Sequence, residues 1–211
     1  MIALIGKKIG MTQSFTEKGE LLSVTAIEVG PCPILGIKDK SIQIGFDPVK
    51  EKRVKKPVLG FFNKIKVTPR KVIKEIIRDT AREYKVGDEL KVDLFKSGDF
   101  VDITGVSIGK GFQGGMKRWH WRGGPRSHGS MSHRRVGSIG SSATPSRVLK
   151  GQHLPGHMGH QQVTIQNLRI VNVDAQNNLI LVKGAVPGHK NSYLVVKTAL
   201  KKAPKVSKEK K

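Results

Sequence analysis

The sequence predicts a mainly β fold, a small antiparallel barrel or sandwich, with a long irregular segment in its middle. Short stretches of β-branched or alternating apolar residues recur towards both ends of the chain, separated by glycine and proline. Such a series of short strands is typical of small all-β domains. Residues 109–160 interrupt the series, because they hold twelve of the 24 glycines, six of the seven histidines and few apolar residues.

The predicted strands follow one another along the chain. They cover residues 21–29, 41–46, 90–95, 100–108, 163–173, 179–182 and 193–197. Residues 174–178 (DAQNN) separate two of these strands and tolerate left-handed backbone, which predicts a hairpin. The period of residues 72–84 fits a short helix as well as a strand, so this segment is left open between the two.

The same pattern predicts the organisation of the chain. Residues 1–47, 85–108 and 161–200 form one discontinuous β-barrel, and residues 48–84 form an inserted α/β segment. Residues 109–160, called the arm below, form an irregular extension that a partner orders, since the composition is too poor in apolar residues to fold alone. Residues 201–211 carry six lysines and predict a basic disordered tail, which either adds electrostatic attraction or is a solvated end.

Composition excludes several classes of protein. The 211 residues carry 39 Lys and Arg against 16 Asp and Glu, a net charge of +23. No apolar run approaches the roughly 18 residues that a membrane span needs. The start MIALIGKKIG lacks a secretory pattern, and the single Cys32 excludes an internal disulfide framework. We therefore expect a cytoplasmic protein without membrane contact, whose partner is a polyanion.

The charge is unevenly distributed. Residues 103–173 contain ten basic residues and no Asp or Glu, and they hold seven of the eleven arginines. Arginine offers a planar fork of donors that suits phosphate oxygens and stacking on bases, whereas a carboxylate near phosphate would be repelled. The pattern therefore indicates a polyphosphate partner rather than an ordinary solvated surface, which mixes both signs of charge.

Residues 117–122 (KRWHWR) interleave two tryptophans with basic side chains. Trp119 and Trp121 either stack on exposed bases while the neighbouring cations meet phosphates, or they are anchors that pack the root of the arm onto the barrel. The fragment GKGFQG at residues 109–114 matches a dinucleotide fingerprint, but neither the required helix nor an acidic residue follows it. No cofactor is predicted, and no small-molecule substrate.

The arm histidines allow more than one chemistry. His157 and His160 have the spacing of a metal pair, but no cysteine or carboxylate completes a ligand set, so no metal is predicted. Two histidines, such as His128 and His133, with a lysine could cleave RNA by acid–base catalysis, which makes an RNA-cleaving enzyme one alternative. A non-specific DNA-binding protein is another. Hydrogen bonding to phosphates or base edges is the preferred interpretation, because an irregular arm gives catalytic groups little rigid support.

Several segments, in order along nearly the whole chain, resemble the large-subunit ribosomal protein L3 family in its short bacterial form. The matching segments are IGKKIGMTQ (5–13), GPCPI (30–34), VDITGVSIGKGFQGGMKRW (101–119), SHG (127–129), HRRVGSIG (133–140), TPSRVLKGQHLPGHMG (144–159) and KGAVPG (183–188). The resemblance implies a six-stranded barrel of the translation-protein type on the outside of the large subunit. It further implies an arm that penetrates the rRNA towards the peptidyl transferase centre, early binding during subunit assembly, contacts with neighbouring ribosomal proteins, and no enzymatic activity.

The resemblance and the charge pattern together give the candidate site residues. For rRNA binding they are Lys7, Lys8, Lys110, Lys117, Arg118, Trp119, His120, Trp121, Arg122, Arg126, His128, His133, Arg134, Arg135, Arg147, Lys150, His153 and His160. By position in the family, Pro155, Gly156, His157, Met158 and Gly159 would form the tip nearest the peptidyl transferase centre. Some bacterial members carry a methylated glutamine at the position of His157, and histidine has no side-chain amide to methylate.

Overall fold

The computed structural model of the protein describes residues 3–79 and 82–202, and over these residues the chain is mainly β, as the sequence predicts. Residues 203–211 of the predicted basic tail lie outside the described residues. The strands are β1 (Ala3–Phe15), β2 (Leu21–Val29), β3 (Cys32–Ile37), β4 (Ser41–Pro48), β5 (Arg70–Ile77), β6 (Glu89–Leu90), β7 (Phe100–Val106), β8 (Gly111–Gln113), β9 (Gly156–Met158), β10 (Gln162–Asp174), β11 (Leu179–Lys183) and β12 (Tyr193–Thr198). The helices are α1 (Lys56–Ile65) and α2 (Gly115–Trp119), with 3-10 turns at Glu51–Arg53 and Val92–Leu94.

The chain divides into two compact units. The body unit consists of Met1–Ser107 and Gln162–Lys211, and the arm unit is Ile108–Gln161. The arm unit contains the whole predicted arm with one further residue at each end. Neither helix in the described part of the chain has the length and apolar character to cross a bilayer.

Six strands of the body unit form an antiparallel sheet that closes on itself. Its order is β1, β12, β7, β10, β11 and β2, and β2 pairs again with β1. Aliphatic side chains fill the interior, because alternate residues of each strand point inward. Leu4, Ile27, Ile103, Ile170 and Val196 are all buried there. Burying one such side chain stabilises a fold by about 1.5–3 kcal/mol, so this core can hold the body unit together.

A second sheet of four strands, in the order β5, β4, β3 and β6, completes the body unit. This second sheet contains β3, β4 and β6. The sequence predicts that these strands, from residues 1–47 and 85–108, belong to the barrel, and that part of the prediction is wrong. Strand propensity reports a half-buried extended segment and does not say which strand will be its partner. Here β3 and β4 pair with each other, with Ile34 opposite Ile44, and β5 then adds to β4 along its whole length.

The inserted segment, residues 48–84, contains both kinds of element. Helix α1 has a proline in its first turn and ends at Lys66 in the left-handed conformation. Residues 70–77 form β5, so the part of residues 72–84 that is regular is a strand. The predicted strand at residues 90–95 is wrong beyond Leu90: Val92–Leu94 make a 3-10 turn, and the Lys96 N–H then donates to the Asp99 carboxylate (3.0 Å).

Tyr193 links the two sheets of the body unit. Its hydroxyl on β12 donates to the Asp47 carboxylate on β4 (2.7 Å), and its ring meets the Phe46 ring edge to face at 6.3 Å. The Lys71 ammonium lies 5.4 Å from the centre of the Tyr193 ring. The hydrogen-bonding interaction with Tyr193 raises the pKa of Lys71.

The predicted hairpin of residues 163–173 and 179–182 is confirmed by the pairing of β10 with β11. Its turn is held by the Asp174 carboxylate, which accepts the N–H groups of Gln176 (3.0 Å) and Asn177 (3.2 Å) and the Asn177 side-chain amide (2.7 Å). These hydrogen bonds lower the pKa of Asp174. Asn178 adopts the left-handed backbone that the sequence DAQNN predicts, with φ of 52°.

Cys32 is a buried structural residue at the start of β3. Its sulfur lies 3.5 Å from the Ile5 carbonyl oxygen. Burial raises the pKa of the Cys32 thiol to about 12, so almost no thiolate forms at neutral pH.

Candidate nucleic-acid interface

A short strand pair stands where the chain enters and leaves the arm unit. β8 and β9 are antiparallel, with Phe112 opposite His157, and the Lys110 N–H donates to the Met158 carbonyl (2.9 Å). A Cβ on Gly159 would overlap the Ile108 carbonyl oxygen, so glycine lets the two chain segments approach there. The strand pair is the only sheet of the arm unit, all of whose residues are described.

The predicted tip, residues 155–159, therefore includes a strand. Gly156–Met158 is β9 and is held by β8, near the residues where the chain enters the arm unit. The His157 side chain is exposed. The distance of these residues from the peptidyl transferase centre stays a prediction.

Helix α2 follows β8 and carries Lys117, Arg118 and Trp119 in its last turn. His120 ends the helix in the left-handed conformation, with φ of 59°. This turn brings Trp121 back over Gly115, where any Cβ would overlap the indole ring. Trp121 is thus half-buried against the helix that precedes it, so it packs within the arm unit.

Trp119 contacts residues near the end of the arm unit, at His153 and Leu154. Its ring stacks on the His153 ring, with centroids 4.0 Å apart and planes 9° apart. Its Nε1–H donates to the Leu154 carbonyl (2.9 Å), and Arg118 Nη1 donates to the same oxygen (2.7 Å). The Arg118 guanidinium also lies 5.0 Å from the Trp119 ring centre. These contacts join residues 118–119 to residues 153–154, so both tryptophans make contacts inside the arm unit.

A second closure lies further along the chain, where residues 123–124 cross residues 132–133. The Gly124 N–H donates to the His133 carbonyl (3.0 Å), and His133 Nδ1 lies 2.8 Å from the Pro125 carbonyl oxygen. A carbonyl only accepts hydrogen bonds, so Nδ1 of His133 must carry the proton. The crossing brings Arg122 and Arg126 to one pocket with Arg134.

The remainder of the arm unit is open. Residues 120–155 contain no helix or strand, and every residue from 131 to 153 is exposed, including Arg134, Arg135, Arg147 and Lys150. The backbone of residues 134–153, all of which are described, forms only short turns, at residues 143–145 and 150–151. Apolar side chains are exposed too; Met131 keeps 85% of its surface accessible. Beyond the crossing at residues 132–133, this segment therefore has no packing of its own that would fix it.

The cations of the arm unit have no acidic neighbours within it. The unit carries nine Lys and Arg residues and no Asp or Glu. None of its apolar side chains is buried; the buried hydrophobic residues of the described chain all belong to the body unit. His128 and His160 are exposed and hold left-handed backbone, with φ of 58° and 50°. A polypeptide of this kind presents positive charge and hydrogen-bond donors on nearly all sides.

The two candidate lysines of the body unit have different surroundings. The Lys8 ammonium donates to the carbonyls of Val186 (3.0 Å) and Gly188 (2.9 Å), and burial lowers its pKa. Lys7 lines a pocket of about 110 Å³ together with Glu28 and Asp47. Sequence reasoning missed the structural use of Lys8, because nothing in IGKKIGMTQ distinguishes one lysine from the other.

The structure assembles no group that resembles a metal or catalytic centre in the described residues. No set of three or more His, Cys, Asp or Glu side chains within residues 3–79 and 82–202 is placed to hold a metal ion. Two of the arm histidines have their rings engaged elsewhere, His133 with Pro125 and His153 with Trp119. The RNA-cleaving alternative therefore gains no observation from the geometry.

Fold and site together define a class: a basic, mainly β protein that carries a cationic arm without a hydrophobic core. The family model described as ribosomal protein L3 matches residues 73–178. The chain is 48% identical to the large ribosomal subunit protein uL3 of Brachyspira hyodysenteriae and 46% identical to that of Brachyspira pilosicoli, with 97% of each chain covered in both cases. It is 50% identical to the uL3 of Pelobacter propionicus over 94% of this chain and 98% of the relative.

The chain belongs to the ribosomal protein L3 family. The resemblance that the sequence motifs carry is thereby confirmed. The family is one of structural ribosomal proteins.

Proposed function

We propose that the chain is a structural constituent of the large ribosomal subunit and binds large-subunit rRNA directly through its arm unit. One observation carries this proposal: the arm unit combines nine basic residues with no carboxylate and no buried apolar side chain. Charge of a single sign suits a polyphosphate, and a segment without a core needs an outside surface to order it. Membership of the L3 family gives the polyphosphate its identity as rRNA.

The free-energy cost of ordering the arm sets how many contacts its partner must supply. Fixing one backbone residue costs about 1–2 kcal/mol, and a good hydrogen bond to a charged group returns about 1.5–3 kcal/mol. An open segment such as residues 134–153 therefore needs about one strong contact for every one or two residues. Folded RNA that surrounds the arm can supply that density, whereas a flat RNA surface would leave half of the side chains in water.

The other parts of the proposal follow the family. The closed six-stranded sheet would be a barrel of the translation-protein type on the outside of the subunit, with residues 48–84 inserted in it. The arm would extend towards the peptidyl transferase centre, with residues 155–159 nearest to it. The protein would bind early in assembly, contact neighbouring large-subunit proteins and act in the cytoplasm.

The proposed rRNA-binding residues should contribute unequally to RNA binding. Arg134, Arg135, Arg147 and Lys150 are exposed in the open segment, so we expect direct phosphate contacts from them. The Lys8 ammonium already donates hydrogen bonds to two carbonyl groups of the protein, so its contribution to RNA binding should be smaller. Trp119 and Trp121 act mainly by holding the arm unit in shape, and the exposed third of Trp119 is free for a base.

The salt dependence of binding tests the proposal. Binding of the purified chain to a large-subunit rRNA fragment is measured from 50 to 300 mM salt, beside a variant with Arg134→Ala and Arg135→Ala. Each lost phosphate contact should reduce the slope of log K against log salt by about 0.7–0.9. The control carries Lys52→Ala and Arg53→Ala, which removes two exposed charges from the body unit. We expect its slope to match that of the unaltered chain.

Two results would contradict the proposal. Equal slopes for the arm variant and the body variant would show that the arm charges do not meet phosphates. Equal affinity of the unaltered chain for duplex DNA of arbitrary sequence and for folded rRNA at physiological salt would favour the DNA-binding alternative.

A further inference from the structure

The crossing of residues 123–124 over residues 132–133 creates a pocket of about 370 Å³ in the arm unit. Three arginines from the two crossing segments share it with one histidine and one methionine. Its lining residues are Met116, Arg122, Gly124, Arg126, His133 and Arg134. The three arginines lie far apart from any acidic residue in the sequence, since the nearest are Asp102 and Asp174.

Two glycines make the crossing possible. Gly123 has φ of 77°, and a Cβ there would overlap the His133 carbonyl oxygen. A Cβ on Gly124 would overlap the Ser132 carbonyl oxygen, although the backbone of Gly124 itself is not left-handed. Both contacts are with backbone atoms, which cannot swing away as a side chain can. The sequence GG therefore fixes how closely the two arginine-bearing segments approach.

The donors in the pocket have no acceptor within the protein. The guanidinium groups of Arg122, Arg126 and Arg134 make no hydrogen bond or ion pair with any residue in the ranges 3–79 and 82–202. The bond to the Pro125 carbonyl fixes the orientation of the His133 ring at the same pocket. Several donor forks around one space suit a small anion whose acceptor directions are not confined to one plane.

We propose that this pocket binds one phosphate group of the RNA backbone and that its shape is formed before the RNA arrives. The inference rests on the proposed function, since it names the part of the arm that holds a single phosphate tightly. A phosphodiester shares one negative charge between two unesterified oxygens on a tetrahedral phosphorus, whose acceptor directions are not confined to one plane, so forks from two crossing segments can meet them together. A planar carboxylate has two oxygens and is satisfied by one fork, so an acidic peptide fits this pocket less well.

The pocket can be tested without RNA, with inorganic phosphate and pyrophosphate as probes. We would titrate each into the full-length protein and follow the arginine Nε and histidine ring signals by NMR. The expected result is saturable shifts of the signals from Arg122, Arg126, Arg134 and His133. Absence of saturable shifts, or equal shifts for all arginines of the chain, would overturn the inference, as would tighter binding of a polyglutamate peptide than of pyrophosphate.

Two glycine variants separate the shape of the pocket from its charge. Gly124→Ala forces the crossing segments apart, whereas Gly114→Ala adds the same methyl group at a glycine with no atom within 4 Å of the added Cβ. We expect pyrophosphate affinity to fall at least tenfold in the first variant and to stay within twofold in the second. Similar affinities in both variants would overturn the role of the crossing.

Gly124→Ala could change the structure of the whole arm, so a second variant tests the pocket through its charge alone. Arg134→Gln keeps the backbone and removes one donor fork, and Arg53→Gln removes the same group from an exposed site on the body unit. Loss of pyrophosphate binding is expected only for Arg134→Gln. Equal losses would mean that the probes report net charge alone, which would overturn the inference.

Failure of this inference can be told apart from failure of the proposed function. If the chain binds rRNA but Gly124→Ala and Gly114→Ala bind it equally well, and no saturable phosphate site is found, the pocket is not a phosphate site and the proposed function stands. If rRNA binding itself is absent, the proposed function fails, and the inference fails with it.

Discussion

The body unit and the arm unit are parts of one chain that are held together in different ways. The body unit surrounds a continuous set of buried aliphatic side chains between paired strands. The arm unit has one short strand pair, a stacked Trp119–His153 pair and a backbone crossing at two glycines. The contrast teaches that a hydrophobic core holds the first unit together, whereas much of the second has no core of its own.

Cysteine reactivity should show the largest difference between the two units. Burial raises the pKa of Cys32 from 9.0 to about 12, so its thiolate fraction at pH 8 falls about 1,000-fold relative to an exposed thiol. A cysteine placed in the open segment by Ser141→Cys should react with a disulfide reagent like a thiol in an unfolded peptide. Stopped-flow absorbance measures both rates, and comparable rates in the native protein would contradict the contrast.

Removing an apolar side chain should also separate the two units. Ile103→Ala opens a cavity in the closed sheet and should lower the free energy of unfolding by about 3 kcal/mol, within the usual 2–5 kcal/mol. Ile139→Ala makes the same change at an exposed site of the arm, and its effect should stay within about 0.5 kcal/mol. Urea unfolding followed by far-ultraviolet circular dichroism gives both values. A cost above 1 kcal/mol for Ile139→Ala would reveal packing in the arm that the contrast excludes.

A smaller effect is expected at the junction of the two sheets within the body unit. Tyr193→Phe removes the hydrogen bond to Asp47 and should cost about 1 kcal/mol of unfolding free energy. Asp47 has left-handed backbone, so Asp47→Ala carries a backbone cost of its own. A double-mutant cycle with both changes removes that cost from the coupling energy. A coupling energy near zero would mean that the Tyr193–Asp47 bond does not join the sheets.

The smallest effect on stability is expected in the arm itself. Both tryptophans of the chain belong to the arm unit, so tryptophan fluorescence reports on that unit alone. His153→Gln removes the ring stacked on Trp119 and should change the emission, while the free energy of unfolding changes by less than about 0.5 kcal/mol. His128→Gln, at an exposed histidine without a ring partner, should leave both quantities unchanged. Identical emission in the two variants would argue against the stacked pair.

Much of the body could be predicted because local pattern and final structure agree there. Alternating β-branched residues gave β2, β7 and β12, and the DAQNN turn gave the β10–β11 hairpin. The partners of β3 and β4 could not be predicted, since strand propensity is the same in either sheet. Residues 91–95 misled for a similar reason: their apolar side chains are buried, Val92 and Phe95 completely or nearly so, in a turn rather than a strand.

In the arm, charge could be predicted and geometry could not. Absence of acidic residues from 103 to 173 is a property of composition and needs no structure. The closures depend on atoms that the sequence does not single out, such as the Leu154 carbonyl shared by Arg118 and Trp119. The pair Gly123–Gly124 was a usable signal, because adjacent glycines between arginines mark a place where backbones can cross.

Amide hydrogen exchange tests the central claim most directly, because it reports on both units in one experiment. We would compare the free protein with the same protein assembled into large ribosomal subunits. In the free protein, strands β1, β7 and β12 should be protected. The amides of residues 135–152 should exchange almost as fast as in an unfolded chain, since these residues are exposed and lie in no helix or strand. Assembly should slow those arm amides by about 100-fold or more. Arm amides that exchange at the same rate in the free and the assembled protein would contradict the account.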